Sequence, residues 1–360
     1  PVLQEISPDG FDSISFFAPI GYRSAKQERA VAVAQDYNVY AIVQGGRLEY
    51  EAVLFVASFF NRNPNFTGRL ILGEPQPSER WDYDPRIQNP QVRRLLLDLG
   101  AEIVPFQNGV FGSRYPNGNK IIGLTALPDN EPFVFFDTDT IFTGRLNSVP
   151  FDFNRPTASM KRENTWPEVD LYGPGYGEMW KSLYDKFDLD FASSLDLSQP
   201  DEYWKRYMYF NAGWFFYKDP AEFATYFTHY ASEIERDPPW QIETQQLYPW
   251  LDQIALPLVI HKLGGARDTI PSGLLDGSVS WHYRYLPLLY ATAPDETVEV
   301  LEKVLAPNPI KKVVKAHEPF RRLVFQGKGQ KLRDMFDRDN LPRKDQAIRQ
   351  RIKKANMWYR

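Results

Sequence analysis

The chain has 360 residues, of which 43% are hydrophobic, 24% are charged and none is cysteine. This composition is typical of an ordered globular protein, and the lack of cysteine excludes disulfides, thiolate metal sites and cysteine nucleophiles. The sequence has no run of about 18 apolar residues, and its first residues lack the basic and apolar regions of a secretion signal. We therefore expect a cytoplasmic protein.

Charge is distributed unevenly along the chain. Residues 311–360 hold 16 Lys and Arg against 5 Asp and Glu, whereas the remainder holds 26 against 41. Such a basic segment suits peripheral attachment to an anionic membrane at its inner face, with Trp358 and Tyr359 as interfacial anchors. The alternative is a solvated helical face that offsets the acidic body. The acidic remainder and the lack of a recognition motif exclude nucleic acid as the expected partner.

Strands and helices alternate in the first part of the chain. Residues 1–36 are predicted to be an N-terminal extension with a short helix over 24–35. Predicted strands then cover 38–44, 68–74, 101–106 and 132–139, and predicted helices cover 49–63, 89–100 and 118–127. This alternation predicts an α/β fold whose mostly parallel, Rossmann-like sheet has helices on both faces.

The pattern becomes irregular after residue 139. Residues 150–205 are rich in Trp, Tyr, Pro and Gly and are predicted to be an irregular insertion beside the site. Four of its aromatic residues suit stacking on an acceptor sugar or packing into a surface subdomain: Trp166, Tyr172, Tyr176 and Trp180. The later predicted elements are a strand within 207–220, a helix over 220–235, a helix within 248–264 and a strand over 277–286. We expect one catalytic domain over 37–290 and a basic, mainly helical region over 291–360.

Two aspartates follow the apolar strand in "EPFVFFDTDT". Residues two apart on an extended backbone point the same way, so Asp137 and Asp139 can face one cation. In open α/β sheets, ligands bind outside the carboxyl ends of the strands. Two carboxylates there suit Mg²⁺ or Mn²⁺, which in turn binds a diphosphate.

The same "DTDTI" also nearly fits the phosphatases of the haloacid dehalogenase type, in which the first aspartate is the nucleophile. Those enzymes carry the motif after their first strand and need a downstream acidic pair. Here three predicted strands precede the motif, and the chain contains no Gly-Asp or Asp-Asp dipeptide. A phosphohydrolase therefore stays as an alternative.

Several motifs in order resemble the GT-A nucleotide-sugar glycosyltransferases. They are "NKIIGLTALPDNEPFVFFDTDTIFTGRL", then "FNAG", then "LDQIAL", then a histidine after an apolar stretch, and the resemblance covers about residues 38–285. Within that class the chain is similar to glycosyltransferase family 8, the glycogenin and bacterial lipopolysaccharide galactosyltransferase group. The resemblance implies a GT-A type fold and transfer of a hexose from a nucleotide-diphosphate sugar, a UDP-sugar above all, to a glycan or glycolipid, with retention. A non-catalytic carbohydrate-binding protein on such a fold is a further alternative.

The resemblance also implies a divalent cation, Mn²⁺ or Mg²⁺, with three protein ligands. Asp137 and Asp139 would supply two, and His282 in "VSWHYRY" the third. His317 in "KKVVKAHEPF" is the competing third ligand. Beside the cation, the resemblance places Asp252, Gln253 and Asn211 at the transferred sugar and its reacting carbon.

Donor contacts are implied at eight further positions: Val43, Gln44, Tyr50, Lys120, Thr138, Ala212, Gly213 and Arg284. Val43 and Gln44 would border the base and Tyr50 would stack on it. Thr138 would lie near the ribose and phosphates, and Lys120 and Arg284 would face the phosphates. Ala212 and Gly213 would lie beside the donor sugar, since a glycine lets backbone approach a substrate closely.

Overall fold

The structure is a computed structural model that describes residues 36–161 and 166–360. The expected N-terminal extension, with its helix over 24–35, falls outside the described residues except for Asp36. Within these ranges the strands are β1 (Asn38–Ile42), β2 (Leu70–Gln76), β3 (Glu102–Gln107), β4 (Phe133–Phe136), β5 (Thr140–Phe142), β6 (Ala158–Ser159), β7 (Asn211–Tyr217) and β8 (Ser280–His282).

Six of the described strands form the central sheet, in the order β3-β2-β1-β4-β7-β6. The pairings among β1 to β4 are all parallel, whereas β7 runs antiparallel to β4 and β6 antiparallel to β7. The expected α/β class with a mostly parallel sheet is confirmed. The first four strands occupy the predicted segments because each is a short apolar run bounded by turn residues.

The helices of the described part are α1 (Arg47–Arg62), α2 (Pro90–Asp98), α3 (Asn119–Ile122), α4 (Tyr176–Lys186), α5 (Pro220–Arg236), α6 (Leu251–Lys262), α7 (Leu286–Thr292), α8 (Asp295–Leu305), α9 (Asn308–Val314), α10 (Lys328–Arg333) and α11 (Asp345–Lys354). Two of them begin at signals visible in the sequence. Asn89 caps α2 and Asp219 caps α5, each followed by a proline in the first helical position. The expected helical region after residue 291 is confirmed as α8 to α11.

A hydrophobic core lies on each face of the sheet. Side chains alternate along β1, so that Val39 and Ala41 join one core while Tyr40 and Ile42 join the other. The first core packs α1, α2 and the helices after residue 285 against the sheet, and the second packs α4, α5 and α6. Because both faces of the sheet are covered, a site can form at the edge of the sheet where β1 and β4 end.

The strand expected over 132–139 ends earlier, at Phe136. The Asp137 amide makes a last sheet bond to the Gly213 carbonyl (2.8 Å), and the Thr138 hydroxyl then donates to the Ile42 carbonyl. The chain leaves the sheet here and continues as β5. This strand pairs antiparallel with β8 in a separate two-stranded ribbon, in which Thr140 lies opposite His282. The strand expected over 277–286 is therefore shorter than predicted and lies outside the central sheet.

The aromatic residues expected on the acceptor side have different environments. Trp166 and Trp180 are buried in the second core with ring centroids 5.2 Å apart, so neither ring is available to a sugar. Tyr176 stacks on Tyr207 (5.9 Å), whereas Tyr172 is 96% exposed. For the two tryptophans this burial favours packing into a surface subdomain over stacking on a sugar.

The basic C-terminal segment packs on the body of the protein. Trp358 and Tyr359 are partly buried against the first core, and the Trp358 ring lies 5.3 Å from Tyr285. The two expected membrane anchors thus have intramolecular partners, and membrane association stays a prediction. Among the described helices, none combines the length and hydrophobicity needed to span a bilayer.

Candidate active site

A polar cleft of about 470 Å³ opens at the carboxyl ends of β1 and β4. Such an edge is where open α/β sheets bind ligands. The predicted site residues that line it are Gln44, Lys120, Asp137, Thr138, Asp139, Asn211, Ala212, Asp252, Gln253, His282 and Arg284. All eleven positions were expected, from separate stretches of sequence, to contact one donor or cation, and the fold brings them to one cavity.

Three potential metal ligands converge in the cleft. The His282 Nε2 atom lies 3.1 Å from Asp139 Oδ1 and 3.8 Å from Asp137 Oδ2, and all three ligand atoms fall within 4.8 Å of one another. Two carboxylates and an imidazole at this spacing fit a divalent cation, because each can turn one lone pair to a common point. The β5–β8 ribbon creates the cluster by placing His282 opposite Thr140.

The competing ligand His317 lies elsewhere. Its ring stacks on Tyr50, with centroids 5.0 Å apart and planes at 4°. Burial, together with Arg47, lowers the pKa of His317 to about 4, so this imidazole is neutral at pH 7. The described structure therefore favours His282 over His317 as the third ligand.

The two aspartates have different electrostatic environments. Burial raises the pKa of Asp137 in spite of the neighbouring Lys120. Burial also acts to raise the pKa of Asp139, but His282 and Arg47 hold it below its usual range. Asp139 is consequently a carboxylate at neutral pH, as a metal ligand must be.

Lys120 joins the metal side of the cleft to helix α6. Its Nζ lies 2.9 Å from Asp137 Oδ1 and 3.1 Å from Asp252 Oδ2. Burial acts to lower the pKa of Lys120, but these two carboxylates raise it above its usual value, so the side chain is a cation. Asp252 is only 1% exposed, and its other oxygen accepts from the Tyr115 hydroxyl at 2.7 Å.

Gly213 makes room for His282. A Cβ at position 213 would lie 2.5 Å from His282 Nδ1 and 2.8 Å from the Asn211 side-chain oxygen, which already accepts from the Gly213 amide. Gly213 does not itself line the cleft, and the lack of a side chain there leaves space for the ring of a candidate ligand. Its place beside the donor sugar stays a prediction.

Replacing Gly213 by Ala is expected to weaken Mn²⁺ binding about tenfold, because the added methyl displaces His282 and perturbing a ligand's support typically costs that much. Titration followed by the electron paramagnetic resonance of free Mn²⁺ measures the affinity. Gly109→Ala is the matched control, since a Cβ there would meet nothing within 4 Å. Equal affinities in both variants would contradict the assignment of His282.

Two predicted base contacts do not line the cleft. Val43 is fully buried in the first core and does not line the cleft. Tyr50 also lies outside the lining, stacked on His317, and its hydroxyl accepts from Asn89 (3.2 Å). The two positions have different causes: after β1 ends at Ile42, Gln44 and not Val43 lines the cleft, whereas Tyr50 lies in α1 and packs on His317.

Gln44 and Gln253 are each oriented by neighbours. The Gln44 amide nitrogen donates to the Tyr83 hydroxyl (2.9 Å), and its oxygen accepts from Asn119 (3.0 Å). The Gln253 oxygen accepts from the Tyr209 hydroxyl (2.7 Å). Both amides therefore enter the cleft in defined orientations, which favours selective hydrogen bonding over a loose contact.

Sequence reasoning missed Arg47, Tyr285 and Arg349, which also line the cleft. Arg47 donates to Glu51 (2.9 Å) and to the Arg284 carbonyl (2.7 Å), and its Nη1 lies 3.6 Å from Asp139 Oδ2. A basic residue after Gly-Gly at the start of α1 was a usable signal for Arg47. No local pattern distinguishes Arg349 from the other cations of its basic helix.

The fold and cleft together define an α/β protein with a candidate divalent-cation site at its carboxyl edge. Residues 39–264, more than half of the chain, match the Rhodobacterales glycosyltransferase domain, and the chain belongs to this bacterial family. Glycosyl transfer is thus its class of activity, which removes the phosphohydrolase alternative. A search of curated protein sequences finds no significant match.

Similar solved structures include galactosyltransferase LgtC in complex with donor and acceptor sugar analogues, with a TM-score of 0.38, 13% identity and coverage of 64% of this chain and 72% of LgtC. The bifunctional glycosyltransferase WbbM has a TM-score of 0.43 and 11% identity over 79% of this chain and 52% of WbbM. Mouse xyloside xylosyltransferase 1 has a TM-score of 0.29 and 10% identity over 64% of this chain and 78% of its own.

Proposed function

We propose that the protein is a metal-dependent hexosyltransferase that moves a sugar from a UDP-sugar to a glycan or glycolipid acceptor with retention. The observation that carries the proposal is the convergence of Asp137, Asp139 and His282 in the same cleft as the Lys120–Asp252 ion pair. The proposal assigns the catalytic domain to residues 37–290, with the insertion at 150–205 on the acceptor side.

Asp137, Asp139 and His282 would hold Mn²⁺ or Mg²⁺. A cation bound there neutralises negative charge on a departing diphosphate. The protein's own cations act in the same direction, because Lys120 and Arg284 both line the cleft and can donate to phosphate oxygens. Thr138, between the two aspartates, would lie beside the donor's ribose and phosphates.

Asp252, Gln253 and Asn211 would bind the transferred sugar. The two oxygens of Asp252 already accept from Tyr115 and pair with Lys120. A carboxylate held in this way suits binding of sugar hydroxyls and stabilisation of a positively charged ring better than removal of a proton from an acceptor. This supports retention, since an inverting enzyme needs a carboxylate base at the acceptor hydroxyl.

Gln44, oriented by Tyr83 and Asn119, would contact the base, and Ala212 would lie beside the donor sugar. Tyr172, the most exposed of the aromatic residues in the insertion, is the candidate for stacking on an acceptor ring. A glycolipid acceptor would bring the protein to a membrane surface.

The proposal is tested by thermal denaturation with UDP, GDP, ADP and CDP, each with and without Mn²⁺. We expect a rise in Tm that needs both UDP and Mn²⁺, because a ligand that binds only the folded state stabilises it. UDP-hexoses should then release UDP when acceptor is supplied. Folded protein that responds to no nucleotide would contradict the proposal, and sugar binding without nucleotide release from any donor would support the carbohydrate-binding alternative.

A further inference from the structure

Three arginines from separate parts of the chain surround the ring of Tyr285, which lines the cleft. Their guanidinium carbons lie 5.0 Å (Arg47), 5.2 Å (Arg349) and 5.2 Å (Arg360) from the centroid of Tyr285. We call this set the Tyr285 cluster. Arg360 also donates to the Tyr285 hydroxyl at 3.1 Å. Cation–π contacts favour each position singly.

Guanidinium groups brought this close to one another repel, so the cluster needs negative charge nearby. Glu51 pairs with Arg47 at 2.9 Å, and Asp345 accepts from Arg349 Nε at 2.5 Å. The ion pair with Asp345 uses Arg349 Nε, so the two terminal NH₂ groups of this guanidinium can make other contacts. Of the three arginines, Arg47 and Arg349 line the cleft itself, where they join Arg284.

The cluster is continuous with the candidate metal site, since Arg47 Nη1 lies 3.6 Å from Asp139 Oδ2. Arg349 is held in place by its neighbours: besides Asp345 and Tyr285, it packs over the Trp358 ring at 5.6 Å. A partly buried arginine that is held against two rings and lines the cleft loses little side-chain freedom when it binds an anion. Its planar group matches phosphate and carboxylate oxygens in pairs.

We propose that helix α11 belongs to the substrate site, and that Arg349, with Arg47 and Tyr285, binds an anionic phosphate or carboxylate group of a substrate. This inference rests on the proposed function. The anionic group is either the donor's diphosphate or a charged substituent on the acceptor. In that case part of the basic region after residue 311 contributes to substrate binding in the cleft. This role does not depend on membrane attachment.

The test compares Arg349→Gln with Arg351→Gln in the full chain. Arg351 is an exposed residue of the same helix that does not line the cleft, so the control removes the same charge. Calorimetry measures binding of inorganic pyrophosphate with Mn²⁺, which represents the donor's diphosphate. It also measures glucose 6-phosphate and glucuronate without metal, which represent an anionic acceptor, with glucose as the neutral reference.

Arg349→Gln is expected to weaken binding of one anionic probe about tenfold, whereas Arg351→Gln leaves it unchanged. Loss with pyrophosphate identifies the donor as the source, and loss with the sugar anions but not glucose identifies the acceptor. Arg349→Lys, which keeps the charge and loses the planar group, should show a smaller loss. Thermal melting shows whether each variant is folded. If Arg349→Gln does not fold, the comparison is made with Arg349→Lys instead.

Three results would overturn the inference. The wild type and Arg349→Gln could bind the probes equally, both glutamine variants could lose the same affinity, or the wild type could bind no anionic probe. These outcomes are separate from failure of the proposed function. Protein that transfers sugar with unchanged probe binding in Arg349→Gln refutes only the role of α11. Protein that shows the tenfold loss but releases no UDP refutes only the transferase reaction.

Discussion

Asp139→Asn is expected to reduce sugar transfer by at least about a hundredfold and to weaken Mn²⁺ binding in parallel. The carboxylate lies 3.1 Å from His282 and is kept ionised by His282 and Arg47 against the effect of burial. An amide has no negative charge to offer a cation. The cation's stabilisation of a departing diphosphate is worth several kcal/mol, and each ~1.4 kcal/mol corresponds to a factor of ten in rate.

Asp129→Asn is the matched control for this experiment. Asp129 is exposed in the turn before β4, so the same change of charge there should leave both transfer and Mn²⁺ affinity at wild-type values. Initial rates over a series of Mn²⁺ concentrations separate weaker cation binding from slower chemistry. Wild-type rates and Mn²⁺ affinity in Asp139→Asn would refute the metal site.

Lys120→Met is expected to lower the free energy of unfolding by about 3–5 kcal/mol, as well as to impair transfer. Its ammonium group is the cation shared by Asp137 and by Asp252, which is almost wholly buried. Removing the lysine leaves the two carboxylates close to each other without their counter-charge. Urea denaturation measures the loss, and Lys181→Met, which breaks an exposed pair with Asp185, should cost no more than about 1 kcal/mol.

A second substitution distinguishes lost charge pairing from lost packing. If unpaired charge causes the instability, Asp252→Asn added to Lys120→Met should recover part of the lost free energy, because the amide keeps the shape without the charge. A double variant that is less stable than the sum of the two single changes would contradict the ion-pair interpretation. The outcome bears on the whole cleft, since Lys120 links Asp137, just after β4, to helix α6.

Local sequence patterns were sufficient to predict the strands and helices that surround the site. Short apolar runs predicted β1 to β4, and the helices that Asn89 and Asp219 cap were predicted over 89–100 and 220–235. The motif at Asp137 and Asp139 was visible for the same reason: both its strand and its spacing are properties of adjacent residues. Lys120, Asn211 and Asp252 were found through the order of their motifs, and the fold brings all three to one cleft.

Side-chain environment was less predictable than element position. Trp166 and Trp180 are of a residue type that often stacks on sugars, yet they are buried against each other. Val43 and Tyr50 flank Gln44 and Arg47 in sequence but lie outside the cleft lining. Which side chains reach the cleft depends on packing partners that are distant in sequence, and for Tyr50, in α1, that partner is His317.

The sequence by itself determined the α/β class, the helical C-terminal region and the carboxylate pair at the end of β4, because these follow from periodicity and spacing within single segments. Only the tertiary structure decided which histidine joins that pair. The register of β5 against β8 sets Thr140 opposite His282, and Gly213 leaves space for the imidazole ring. It also decided that Arg349 reaches the cleft, since that contact depends on how α11 packs against Tyr285. Pairings between segments far apart in the chain are set by packing of the whole fold, and no local pattern encodes them.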